Sequence, residues 1–173
     1  VAVKRERARK SGFTLVEVVV AVLIFSLVLG ATLALYQQGV RSWHREAARV
    51  DVQENLRLGL DRMSRELKAA VRLDEASNNA VGFETTDGRL VRYYHMADKE
   101  QLMRVVDGGH NPVASYVAAL SLTYYDRQGT EIAPPVPEAD LNSIRLVRIT
   151  LTGRKGSEPE STMSTAVRIR TLD

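Results

Sequence analysis

Gly12-Phe13-Thr14-Leu15-Val16-Glu17 leads directly into the uncharged run VVVAVLIFSLVLGATLAL at residues 18–35. Between Phe13 and Tyr36 the only charged residue is Glu17. At a helical rise of about 1.5 Å per residue this stretch reaches roughly 36 Å, enough for a hydrocarbon core of about 30 Å. The segment can therefore cross a bilayer as one helix. The core helix of a soluble domain would carry a polar stripe, whereas within residues 18–35 the only hydroxyls are Ser26 and Thr32. Both can bond back to their own helix carbonyls.

Glu17 is the residue in this run that demands a reason. An acid at the centre of a spanning helix costs about 2.5–3.5 kcal/mol, and less near the interface, so an ionisable group here implies a function and a partner. One reading leaves Glu17 at headgroup level with its carboxylate snorkelling to water. In the other the chain is cut after Gly12, and the new amine of Phe13 lies one helical turn away. That amine, on this chain or a neighbour, is the natural counter-ion.

Lys10-Ser11-Gly12-Phe13-Thr14-Leu15-Val16-Glu17 followed by the apolar run resembles the type III signal of type IV prepilins and type II secretion pseudopilins. The resemblance implies that a prepilin peptidase of the inner membrane cuts after Gly12 and methylates Phe13, the new N-terminus. It also implies that Glu17 pairs with the amine of an adjacent subunit during filament assembly. An ordinary secretory signal peptide would instead show a small-residue cleavage site after a shorter apolar region. Ala31-Thr32-Leu33-Ala34 is a poor version of that site, and helical patterning continues past it.

Charge distribution fits the same picture. The chain has 173 residues and a formal charge of +3, but residues 1–12 hold Lys4, Arg5, Arg7, Arg9 and Lys10 against Glu6, so the remainder carries −1. The high pI belongs to the leader and is no argument for nucleic acid. Five bases before the span outnumber Arg41, Arg45 and Arg49 after it, which favours a C-terminal domain outside the cytoplasm. There is no cysteine, so a disulfide framework is excluded.

Past the span, the apolar positions Val40, Trp43, Ala47 and Val50, then Leu56, Leu60, Met63, Leu67 and Val71, recur at spacings of three and four. No proline precedes Pro112, so one helix from Phe13 to about Arg72, about 90 Å long, is expected, with this stripe as its core face. Gly30, Gly39 and Gly59 are candidate bends or close helix contacts. Asn78-Asn79 is expected to end the helical part.

Short alternating segments follow. Ala80 to Thr85 and Leu90 to His95 flank Asp87-Gly88 as a hairpin, and Gln101 to Val106 is a third strand closed by Asp107-Gly108-Gly109. Leu120, Leu122 and Tyr124 face inward on another strand, as do Val147, Ile149 and Leu151 on the next and Val167 with Ile169 on the last. Ala133 to Pro137 reads as a surface loop and Gly153 to Thr162 as a polar loop. The expected fold class is α+β, a long N-terminal helix, half transmembrane and half amphipathic, packed on an antiparallel β-sheet. Its parts are a leader at 1–12, a transmembrane stem at 13–36, an amphipathic continuation at 37–74 and a globular β domain at 75–173.

Within the family, Met63-Ser64-Arg65-Glu66-Leu67, the strand around Val81-Gly82-Phe83, Leu102-Met103-Arg104, Val117 through Gly129, and Ile144 through Leu151 resemble the PilW-type minor pilins and the J-type minor pseudopilin. This implies a pilin-like fold and a subunit that initiates or caps assembly of a type IV pilus or a type II secretion pseudopilus. The implied partners are the prepilin peptidase, other minor and major pilins or pseudopilins, the inner-membrane assembly platform and, before assembly, the membrane itself. The absence of a stem proline and of a cysteine pair leans away from the bulk fibre subunit, which in this family often has both.

Residues that carry chemistry are scattered. His44, His95 and His110 lack histidine or cysteine neighbours at i+3 or i+4, and neither Asp87-Gly88 nor Asp107-Gly108-Gly109 has the further acids of a calcium loop. Ser157, Ser161 and Ser164 have no nearby base, and no nucleophile motif or phosphate loop occurs. No enzymatic activity, metal or cofactor is expected. Arg148, Arg168 and Arg170 could line one strand face, as in a DNA-uptake pseudopilus, but base-stacking aromatics do not interleave with them, and nucleic acid is not expected as a partner. The alternative from another class is a single-pass membrane-anchored sensing or binding domain whose span stays uncut.

Overall fold

The structure, a computed structural model, describes residue 12, residues 14–156 and residues 158–169. It comprises two compact units, Val1–His44 and Arg45–Asp173. In the first unit, helix α1 (Leu15–Lys68) begins at Leu15, with the amide of Val18 donating to the Thr14 carbonyl at 3.2 Å. Its side chains from Leu15 to Trp43 are exposed in the isolated chain, including every large apolar one. Ser26 Oγ donates to the Val22 carbonyl and Thr32 Oγ1 to the Val28 carbonyl, each at 2.8 Å, so the two hydroxyls of the run are satisfied within the helix, as expected.

In the second unit the same helix buries Val52, Leu56, Leu60, Met63 and Leu67. Each is worth about 1.5–3 kcal/mol when removed from water. These side chains meet two antiparallel sheets. The first is a meander of β1 (Ala70–Ala76), β2 (Ala80–Thr85), β3 (Leu90–Met96), β4 (Gln101–Val106) and β5 (Gly109–Ser115), paired in that order. The second contains β6 (Val117–Tyr125), β7 (Glu131–Ile132), β8 (Leu146–Gly153) and β9 (Ser161–Arg168), in the order β7-β6-β8-β9.

Two glycines let the helix approach these sheets. A Cβ on Gly59 would lie 3.1 Å from Ala114, 3.2 Å from Leu102 and 3.3 Å from Leu151, so it sits where α1 touches β5, β4 and β8 together. On Gly153 a Cβ would fall 2.6 Å from the Tyr116 carbonyl oxygen and 3.0 Å from Leu56 and Val52, which leaves no room for any side chain. Gly59 is thus the close contact expected of it, whereas a Cβ at Gly30 or Gly39 would meet nothing within 4 Å, and α1 runs through both.

The α+β class stands, with several corrections. The β domain is two sheets, not one. The helix stops at Lys68, and residues 70–76, Val71 among them, form β1 against β2; Asn78-Asn79 is therefore the β1–β2 turn rather than the helix end. Val40, Trp43, Ala47 and Val50 are exposed and are not core. Asp107 and Gly108, with φ of 51° and 78°, make the two-residue turn of a hairpin into β5, an unexpected edge strand that tolerates Pro112. In the second sheet, β8 continues to Gly153 and β9 starts at Ser161, shortening the expected loop.

The inward faces expected of the remaining strands hold. Leu120, Leu122, Tyr124, Val147, Ile149, Leu151, Val167 and Ile169 are all buried. The sheets are tied through polar groups as well as packing. Tyr124 Oη donates to the Ser77 carbonyl at 2.7 Å, the amide of Leu122 to the Asn78 carbonyl at 2.8 Å, and the amide of Val136 to the Ala76 carbonyl at 2.9 Å. Burial pushes the Tyr124 hydroxyl above the usual tyrosine range, which keeps it a donor.

Candidate functional site

Of the residues expected to carry function, Gly12 and Glu17 fall within the described part, while Phe13 and the leader through Ser11 lie outside it. Gly12 is exposed, and a Cβ added there would meet nothing within 4 Å. Packing among the described residues therefore makes no demand for glycine at this position.

Glu17 lies in the first turn of α1. Its amide donates to Thr14 Oγ1 at 3.2 Å, and its carboxylate Oε2 accepts from the Thr14 amide at 3.4 Å. This reciprocal pair is a capping box, in which a threonine at the helix cap and a glutamate three residues on satisfy each other's backbone donors. The acid is also placed where the positive end of the helix dipole favours a negative charge. Glu17 is thus occupied even in the isolated chain, at the mouth of the apolar segment. The T-x-x-E spacing of Thr14 and Glu17 is the sequence signal of this cap.

Behind the cap, α1 is long and apolar enough to cross a membrane, and the 18-residue window that qualifies has no buried residue. Apolar side chains at that density and exposure require a non-aqueous surrounding, whether lipid or neighbouring helices.

Elsewhere the candidates for chemistry have structural work. His95 Nε2 bonds the Val117 carbonyl oxygen at 2.8 Å, and His110 Nδ1 meets Tyr94 Oη at 3.1 Å. The side chain of His44 is outside the described residues, as are Ser157 and Arg170. Among the described residues no three histidine, aspartate or glutamate side chains gather in a metal-binding group. Arg148 and Arg168 do share the exposed face of the second sheet, opposite Ala166 and Leu146 in register. The Arg148 guanidinium sits 5.2 Å from the Tyr125 ring centre, so the face does contain one aromatic, already covered by an arginine. Glu75 on β1 takes a two-point bond from Arg92 on β3 across Gly82, at 2.5 and 3.1 Å, which holds its carboxyl below the usual range. A Cβ on Gly82 would press within 3.2 Å of Glu75, so the glycine clears the way for that bridge.

No curated protein matches the chain. The family described as the prokaryotic N-terminal methylation motif matches residues 7–33, a span that holds the Gly12–Phe13 bond, the Thr14–Glu17 cap and most of the apolar run. That match and the apolar first helix together support a membrane-anchored protein of the type IV pilin and pseudopilin family, whose members are structural rather than enzymatic.

Proposed function

We propose that the protein is a minor pilin or pseudopilin, a low-copy subunit that initiates or caps assembly of a type IV pilus or a type II secretion pseudopilus. The observation that carries this reading is the undisturbed run Gly12-Phe13-Thr14-Leu15-Val16-Glu17 at the start of a capped helix of membrane length. Prepilin peptidase cuts after Gly12 and methylates Phe13; the span then holds the subunit in the inner membrane with residues 45–173 outside the cytoplasm. The five leader bases support that orientation.

Assembly is then an exchange at Glu17. Its carboxylate, held by the Thr14 amide through one long bond of 3.4 Å, turns to the methylated amine of a neighbouring subunit as the helices bundle. An ion pair with an ammonium in an apolar layer outweighs the two long bonds from Thr14, at 3.4 and 3.5 Å, that it replaces. Other pilins or pseudopilins and the assembly platform are the partners. The lack of cysteine and the proline-free stem favour a minor over a bulk role.

The test is N-terminal sequencing and intact mass of the membrane-extracted protein, from cells with and without prepilin peptidase. A product starting at methylated Phe13, seen only with the peptidase, is expected. An uncut chain in both would replace this reading with a membrane-anchored sensing or binding domain. Gly12→Val is expected to abolish processing, and Glu17→Val to leave it intact while blocking filament incorporation.

A further inference from the structure

Within residues 45–173, the last turns of α1 and the β2–β3 hairpin bound an open cleft of about 680 Å³. Four arginines line it, Arg62 and Arg65 from the helix, Arg89 from the hairpin and Arg104 from β4, against two acids, Glu66 and Asp87. Arg62 Nε and Arg104 Nε both engage Glu66, at 3.4 and 2.8 Å, and Arg89 Nε engages Asp87 at 2.6 Å. Arg65 makes no carboxylate pair among the described residues; its Nε donates to the Asp61 carbonyl at 3.3 Å. The lining thus has two guanidinium charges without a matching acid, in a chain whose sequence after Gly12 is net negative.

Beside Glu66, Tyr93 is wholly buried, and its hydroxyl has no hydrogen-bond partner among the described residues. Burial first, and the nearby Glu66 carboxylate second, push that hydroxyl above the usual tyrosine range. Glu66 is already engaged through one oxygen by Arg62 and through the other by Arg104.

The geometry points to this cleft as a docking site for an acidic peptide segment of another protein chain, recognised by the guanidinium forks of Arg62, Arg65 and Arg89. Planar guanidinium groups pair with carboxylates at two points, and both anions already held by this cluster are carboxylates. The cleft is open, and one exposed ion pair is worth only about 0–1 kcal/mol, so a lone small anion would not stay. Several carboxylates on one segment reach several arginines at once. Glu66 and Asp87, set among those arginines, repel a continuous phosphate array and leave gaps that a peptide with spaced acids can match. The inference does not depend on processing after Gly12.

The experiment uses the full chain in non-ionic micelles and a fluorescein-labelled peptide of alternating glutamate and glycine, read by anisotropy at about 50 mM and about 200 mM salt, where screening differs. Saturable binding that weakens with salt is expected, with a loss of roughly tenfold or more in Arg65→Glu/Arg89→Glu. Arg148→Glu, on the far sheet's exposed face, is expected to bind like the parent. Circular dichroism of the double variant confirms that it remains folded. No saturable binding at millimolar peptide, or binding unchanged by the double charge reversal, would overturn the assignment. So would a single-stranded oligonucleotide or anionic vesicles that bind through the same two arginines in preference to the peptide.

Discussion

Val50 and Val52 stand two positions apart in one helix, yet Val50 is 51% exposed and Val52 3%. They mark the change between two apolar stripes. Trp43, Ala47 and Val50 belong to one, and Trp43 is 77% exposed; Val52, Leu56, Leu60, Met63 and Leu67 belong to the other and form the core face. Each stripe keeps the three-and-four spacing of a helix. From Val50 to Leu56, however, is six residues, about 240° around the axis, so the two are out of phase. Periodicity reports which residues share a face; it does not report what covers that face.

The comparison can be broken by substitution, and the largest effect belongs to the buried stripe. Leu56→Ala in the full chain should cost about 2–5 kcal/mol of unfolding free energy in micelle denaturation, because it leaves a cavity beneath both sheets. Val50→Ala should stay within about 0.5 kcal/mol. Equal losses at the two positions would mean that the exposed stripe is covered in the isolated subunit after all.

Gly153→Ala sharpens the same point from the sheet side. Its methyl would strike the Tyr116 carbonyl, which cannot swing away as a side chain can, beside Leu56 and Val52. A loss of about 1–3 kcal/mol is expected in the same denaturation measurement. A neutral result would show that α1 is free to shift away from β8.

The smallest effect concerns the other end of the helix. Thr14→Ala removes the oxygen that accepts the Glu17 amide and should cost about 1 kcal/mol of local helix stability. Hydrogen exchange at the Glu17 amide reads it, with faster exchange in Thr14→Ala and near-parent protection in Thr14→Ser. Unchanged exchange in Thr14→Ala would mean that lipid or detergent, and not the capping box, secures that turn.

The same physics decides what was legible beforehand. The apolar run, the Asp87-Gly88 hairpin and the inward faces of β6 and β8 were readable because each combines one clean period with one turn signal. Strand β1 was not. Register shifts between Ala70 and Arg72 and between Leu73 and Glu75 place its buried residues, Ala70, Leu73 and Ala76, three apart, which imitates a helix continuing past Leu67. Pro112 concealed β5, since a proline in a ladder is tolerated only at an edge and nothing local marks an edge. At the candidate site, Gly12 and Glu17 stood out by type and spacing. The arginine cleft did not, because Arg62, Arg65, Arg89 and Arg104 come from three elements that only folding brings together.

The bonds that cross from Tyr124 and Leu122 to Ser77 and Asn78 have a thermal consequence. A crack that starts in either sheet must break links anchored in the other, so neither can melt alone. Calorimetry of residues 45–173 within the intact protein should record one cooperative peak, and a protease should find that half-opened fragments do not accumulate.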